Sequence, residues 1–193
     1  MKRFVLLALL ALALPLSAFA NTWDFTNING ALAGNALGMS LVGSNVINID
    51  GPGLFACPCT ESFTTGPGLP PFPINLNLPT VFAAGILPFT IVGGNFIFDG
   101  VFTSPVIWTP EGGDIYQLSG YVSGTLALPG GIQKVNGFTS QLYFGTVGPN
   151  GYTFSGTLGS GDTILSTPEP GTLGLLGTGL VGLAGIVRKK LKT

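Results

Sequence analysis

The alternation of apolar and polar residues in the second half of the chain predicts β-strands. In the stretch "IYQLSGYVSGTLAL", residues 115–128, two sets of side chains occupy opposite parities. The apolar set is Tyr116, Leu118, Val122, Leu126 and Leu128, and the polar set is Gln117, Ser119, Ser123 and Thr125. A period of two is typical of a strand that buries one face and exposes the other.

Two later stretches, "FTSQLYFGTV" and "YTFSGTL", repeat this alternation. Their apolar residues of one parity are Phe138, Leu142 and Phe144 in the first, and Tyr152, Phe154 and Leu158 in the second. The intervening "LPGG" and "GPNG" combine proline, which fixes φ, with glycine, which accepts positive φ. We therefore expect a three-stranded antiparallel meander over 115–158, with these apolar sets on the buried face.

The first half of the chain contains shorter strand signals. "NFIFDGVF" and "SPVIW" each predict a strand, and "GMSLVGSNVINID" predicts one or two. The proline-rich segment 66–88 suits an extended loop or edge. No repeat of constant period supports a β-helix, which is the less favoured alternative. We predict an all-β fold, a single antiparallel β-sandwich or jelly-roll-like ectodomain.

The N-terminal pattern predicts a signal peptide over residues 1–20. Lys2 and Arg3 precede an apolar run, and Ala18 and Ala20 occupy the small-residue positions of an A-x-A cleavage site. We expect signal peptidase to cleave after Ala20. A signal anchor is the disfavoured alternative, because the apolar run is short for a membrane span.

The C-terminus contains an uncharged stretch, 171–187, followed at once by a basic tail, 188–193. As a helix the stretch would extend about 25 Å, within the range of membrane spans. The cations of the tail are Arg188, Lys189, Lys190 and Lys192. Positive charge stays on the cytoplasmic side, so this transmembrane helix would leave the preceding chain outside. A buried glycine-rich helix is the poorer alternative.

The tripeptide Pro168-Glu169-Pro170 precedes this stretch directly. Its prolines hold the backbone extended and display one carboxylate between rigid neighbours. Together the tripeptide, apolar helix and basic end resemble the PEP-CTERM family of exported bacterial proteins. The resemblance implies processing by exosortase, a membrane-embedded transpeptidase-like enzyme, and transfer to the cell surface or extracellular matrix. It covers only the last 26 residues, 168–193, and assigns no activity to the ectodomain, 21–167.

Charge is scarce and unevenly distributed. Only 8% of residues are charged, and the ectodomain has seven acidic side chains against one lysine, Lys134, which leaves a net charge of about −6. Nucleic-acid binding needs clustered lysine and arginine, so this composition argues against it.

The chain has no histidine, which removes Ser-His-Asp catalysis and imidazole-based metal sites. A glycosidase needs only two carboxylates, and Glu111 with Asp114 or Asp162 is the nearest candidate pair. Calcium binding by loop acids is a further alternative, although no EF-hand pattern is present. We predict no catalytic residues, no cofactor and no metal site.

Cys57 and Cys59 are the only cysteines. Two thiols without histidine cannot complete a tetrahedral metal site. In an oxidising compartment an intrachain disulfide is favoured, with links to another chain or two free thiols as alternatives.

Two classes of function follow from the sequence. The favoured one is a non-enzymatic surface or extracellular-matrix protein that associates with exopolysaccharide. The alternative is a secreted glycan-active enzyme that uses carboxylates, or a calcium-dependent glycan-binding module. Trp23 and Trp108 have rings that could stack on sugars, but we expect each to pack in the core.

Overall fold

The computed structural model describes residues 21–54, 58–69, 74–84 and 87–168. All regular structure within these ranges is β, in eleven strands. They are β1 (Thr22–Ile28), β2 (Ala31–Asn35), β3 (Gly38–Asp50), β4 (Cys59–Thr64), β5 (Thr80–Phe82), β6 (Pro88–Val92), β7 (Ile97–Phe102), β8 (Val106–Gly112), β9 (Ile115–Leu128), β10 (Gly131–Val147) and β11 (Thr153–Ser166).

Residue contacts group Asn21–Thr167 into one compact unit. The other unit comprises Met1–Ala20 and Pro168–Thr193. Apart from Pro168, its residues lie outside the described ranges. The predicted signal peptide, the transmembrane helix and the basic tail therefore stay predictions. No helix among the residues that the structure describes is long and apolar enough to cross a membrane.

The eleven strands form one antiparallel sheet that closes on itself. At three positions around the sheet, two consecutive strands lie end to end in place of one continuous strand. These pairs are β1 with β2, β5 with β6, and β7 with β8. At the first of these breaks Asn29 and Gly30 adopt positive φ. The ring closes where β1 pairs with both β3 and β11, which gives eight strand positions in all.

The all-β expectation is confirmed, but the sandwich or jelly roll is not what the strands form. Hydrogen bonding joins every strand into one closed sheet instead of two sheets packed face to face. Alternation could not distinguish these folds, because strands in both have one inward and one outward face. The deciding contact is the long-range pairing of β1 with β11, from Thr22 with Ser166 to Asn27 with Gly161.

The predicted meander is confirmed as β9, β10 and β11, which pair in chain order. The expected buried face is confirmed in β9 for Tyr116, Leu118, Val122 and Leu126. In β10 the expectation was wrong. Phe138 and Phe144 face solvent, whereas Thr139, Gln141 and Tyr143 are buried.

Inward side chains fill the cylinder in layers. One layer is a group of phenylalanines, Phe63, Phe89, Phe98 and Phe102, whose neighbouring rings lie 5.3–5.8 Å apart. A second layer, towards the β8–β9 turn, contains Trp108, Tyr116, Tyr143 and Phe154. A polar cluster also points inward, and it is the most unusual feature of the core.

Candidate functional site

The two ends of the ectodomain meet. The Asn21 amide donates a hydrogen bond to Thr167 Oγ1 at 3.0 Å, and the Thr167 amide donates to the Asn21 carbonyl at 3.0 Å. The predicted cleavage site at Ala18 and Ala20 and the motif residues Glu169 and Pro170 lie outside the described residues. Both predicted targeting segments nevertheless join the ectodomain at this one point, at the same end of the cylinder.

Cys59 lies on β4, where its side chain is buried and is not a free thiol. Cys57 lies outside the described residues. The pairing of these two cysteines therefore stays a prediction.

Of the carboxylates considered as a catalytic pair, Glu111 and Asp114 lie close together in the chain, whereas Asp162 lies on a distant strand. Glu111 and Asp114 flank the Gly112-Gly113 turn between β8 and β9. Asp162 lies on β11, and β9 and β10 lie between that strand and β8. Its neighbours are instead Asp24 and Asp50, and burial followed by the charges of Asp162 and Asp50 raises the pKa of Asp24.

A row of outward-facing residues crosses the sheet near these acids. Strand pairing aligns Tyr121 of β9 with Phe138 of β10, Ile164 of β11, Asp24 of β1 and Asp50 of β3. The rings of Tyr121 and Phe138 meet edge to face at 5.1 Å. Each of the three apolar members is exposed, Tyr121 to 60%. We call this set the aromatic–acidic row.

Neither tryptophan is available at the surface. Trp23 and Trp108 are fully buried, and their indole N–H groups donate to the carbonyls of Pro52 and Leu76 at 3.0 and 2.9 Å. Packing in the core is therefore the role of both, and neither can stack on a sugar.

The buried polar cluster is centred on Glu61 of β4, whose exposed fraction is zero. Glu61 Oε1 accepts a hydrogen bond from Gln141 Nε2 at 2.9 Å, and Oε2 accepts one from the Thr163 hydroxyl at 3.1 Å. Thr139 lies beside both donors, at 2.8 Å from each. Strands β4, β10 and β11 thus contribute to one network that spans the interior.

Asn27 and Ser44 extend this cluster to β1 and β3. Asn27 Nδ2 donates to Ser44 Oγ at 3.0 Å, and Ser44 Oγ donates to the Glu61 carbonyl at 2.9 Å. Among the described residues, five buried side-chain oxygens have no hydrogen-bond partner, and three of them lie in this region: Asn27 Oδ1, Gln141 Oε1 and the Tyr143 hydroxyl. Such groups are uncommon, because an unsatisfied buried polar atom costs about 1–3 kcal/mol.

Burial raises the pKa of Glu61 to about 8, although hydrogen bonds from Thr163, Asn27 and Gln141 favour the charged form. Burial, and then the charge of Glu61, also raise the pKa of Tyr143. Both groups are therefore neutral at pH 7. A neutral carboxyl can donate as well as accept, which suits a cluster with spare acceptor oxygens.

The cluster depends on the missing side chain of Gly161. A Cβ at this position would lie well inside van der Waals contact with Gln141 Oε1 and Asn27 Oδ1. Glycine at this position therefore leaves room for the side-chain amides of Asn27 and Gln141, which both approach the place that a Cβ would occupy. Sequence reasoning assigned no role to Glu61. Its parity with Cys59 and Phe63 in "CTESF" is the local signal that it points inward.

We expect a Gly161→Ala variant to lose about 1–3 kcal/mol of stability, because a methyl group would push the amides of Asn27 and Gln141 out of the cluster. Urea denaturation of the ectodomain measures this loss. Gly130→Ala is the matched control, since a Cβ there meets nothing within 4 Å. Equal midpoints for both variants would contradict the predicted crowding.

Chemically, the interior cluster is sealed from solvent, so its carboxyl is placed to influence stability and not to meet a solute. Within the described ranges, no group of three or more cysteine, aspartate or glutamate side chains is arranged to hold a metal ion. The surface feature best placed to contact another molecule is the aromatic–acidic row.

Comparison with known protein families identifies a short segment near the C-terminus. Residues 166–189 match the model of the PEP-CTERM protein-sorting motif. No curated protein and no solved structure matches the chain. The motif implies export, anchoring of the C-terminus in the membrane and processing by exosortase. The chain therefore carries, near its C-terminus, a segment similar to the PEP-CTERM protein-sorting motif.

Proposed function

We propose that this protein is a non-enzymatic component of the cell surface or extracellular matrix that associates with exopolysaccharide. An exosortase-like enzyme removes the tail, including the transmembrane helix 171–187, and transfers the ectodomain to its final location. The sorting motif supports the route. The aromatic–acidic row supports the association.

The row has the chemistry that polysaccharides require. Tyr121 and Phe138 offer exposed ring faces and edges to the apolar C–H surfaces of sugars. Asp24, whose Oδ1 is buried, and the exposed Asp50 continue the row. The carboxylate of Asp50 can accept hydrogen bonds from sugar hydroxyl groups. The partners of these carboxylates include hydroxyl-rich or amino-sugar polymers, whereas strongly anionic polymers are disfavoured by repulsion.

Binding of the mature ectodomain to exopolysaccharide from the producing cells tests this proposal. We expect Tyr121→Ala and Phe138→Ala each to weaken binding about tenfold, the effect of losing about 1.4 kcal/mol from an aromatic contact. Tyr152→Ala is the matched control, because Tyr152 is also exposed but lies before β11, outside the row.

Equal binding by all three variants would rule out the row as the contact surface. A parallel assay with a calcium chelator separates this proposal from calcium-dependent glycan binding. If binding were lost only when the chelator is present, the calcium-dependent alternative would be favoured. Release of shortened glycan would favour the enzyme that uses carboxylates.

A further inference from the structure

We infer that the tip of the β9–β10 hairpin rests on the phospholipid bilayer while the protein is anchored by its tail. This inference depends on the anchoring step of the proposed function. It concerns a different surface from the aromatic–acidic row, and the partner is the lipid itself.

The hairpin tip is apolar and exposed. Leu128 ends β9, Gly131 begins β10, and Ile132 is 75% exposed. Pairing places Ile132 opposite Ala127, and Ala127 opposite Ile97, which is itself 49% exposed. The outer surface thus carries a continuous apolar strip at this end of the cylinder.

The tip lies at the end of the cylinder from which the chain termini emerge. Ser166, the last residue of β11, pairs with Thr22 on one side and with Asn136 on the other. Strand β10 therefore continues beyond Asn136 towards the hairpin, past the point where β11 stops.

The lengths of the tether and the hairpin are similar. The chain is held at Thr167, and the predicted span begins at Gly171, so four residue steps reach about 14 Å at most. The five residues from Asn136 back to Gly131 cover about 16 Å of strand, or about 12 Å towards the membrane at the strand tilt typical of closed sheets. The hairpin therefore extends over most of the distance that the chain between Thr167 and Gly171 can place between the ectodomain and the membrane.

The distribution of charge is compatible with the same orientation. Lys134, the only lysine or arginine that the structure describes, faces outward two residues from Ile132. Its ammonium group suits lipid phosphates, and the apolar strip suits the acyl boundary beneath them. The exposed Asp99 of β7 lies in the same cross-strand row as Lys134, with Thr125 between them, so the two opposite charges offset each other beside the apolar strip. Asp24, Asp50 and Asp162 lie on the far side of β10, so a tilt towards the hairpin moves these three acids away from the headgroups.

The experiment places a tryptophan at the tip of the full-length protein in vesicles of phosphatidylcholine and phosphatidylglycerol. Leu37→Trp is the matched control, because Leu37 is 81% exposed in the β2–β3 turn at the opposite end. The native Trp23 and Trp108 are buried and contribute equally to both variants. We expect brominated lipids to quench about half of the added fluorescence of Ile132→Trp and none of that of Leu37→Trp.

Equal quenching of the two variants in protein that floats with the vesicles would overturn the inference and leave the anchor intact. Failure of the full-length protein to float with the vesicles would overturn the anchor and this inference together. An Ile97→Trp variant provides a second reporter on the same strip, and we expect it to be quenched less than Ile132→Trp but more than Leu37→Trp.

Discussion

A Glu61→Gln ectodomain is expected to match the wild type in stability at pH 4 and to exceed it by as much as about 4 kcal/mol at pH 8. Between these values the folded wild type keeps a proton on Glu61, whose pKa is about 8, while the unfolded chain releases it near pH 4.5. The unfolded state therefore binds fewer protons, and the free energy of unfolding falls by about 1.4 kcal/mol per pH unit as pH rises.

The glutamine side chain cannot ionise, and it retains the shape and donor capacity of the protonated carboxyl. Urea denaturation from pH 4 to 8.5 provides the comparison, and the difference between the two curves isolates Glu61. Glu111→Gln, an exposed carboxylate in the β8–β9 hairpin, is the control. Parallel curves for wild type and Glu61→Gln would refute a neutral buried carboxyl.

A Glu169→Gln substitution is expected to abolish sorting almost completely while leaving the ectodomain folded. The change keeps the size of the side chain and both prolines but removes the carboxylate that the rigid tripeptide displays. In a host with exosortase, the variant should accumulate in the membrane fraction with Arg188–Thr193 attached. The wild type should reach the surface or matrix without that peptide.

Mass spectrometry of the C-terminal peptide in each cell fraction provides the measurement. Glu111→Gln is again the control, because it removes one carboxylate from the ectodomain and should be sorted normally. If wild type and Glu169→Gln both kept the tail and fractionated together, the motif would be only a rigid spacer before a permanent anchor.

Local patterns predicted the strands better than they predicted how the strands combine. The alternation in β9 identified its buried face because Leu118, Val122 and Leu126 contact an apolar interior. In β10 the same rule failed, since Gln141 faces inward and donates to Glu61, and Thr139 faces inward and accepts from Gln141. Their partners come from strands 80 and 22 residues away, so no window of neighbouring residues contains the reason.

The bulge in β11 adds a second source of error. Pairing with β10 shifts between Leu142 and Tyr143, opposite Gly159, so the inward parity of Phe154 and Leu158 changes to that of Gly161 and Thr163. A strict period of two cannot follow such a change, because one extra residue exchanges the two faces. The C-terminal sorting motif, by contrast, is a linear signal that depends on no tertiary contact, and sequence sufficed to identify it.

The pairing of the last strand has a mechanical consequence for a protein that is held by its C-terminus. Tension from a surface attachment would enter at Ser166 and run along the axis of β11, perpendicular to its interstrand hydrogen bonds. Strand β11 pairs with β10 on one side, from Asn136 to Val147, and with β1 and β2 on the other. The load would therefore act in shear on both ladders at once, so the bonds must yield together and cannot peel apart one by one. A ligand held by Phe138 and Tyr121 is bound to β10, which pairs with the loaded strand, and to β9 beyond it, which makes a short, stiff path for force between the polymer and the cell.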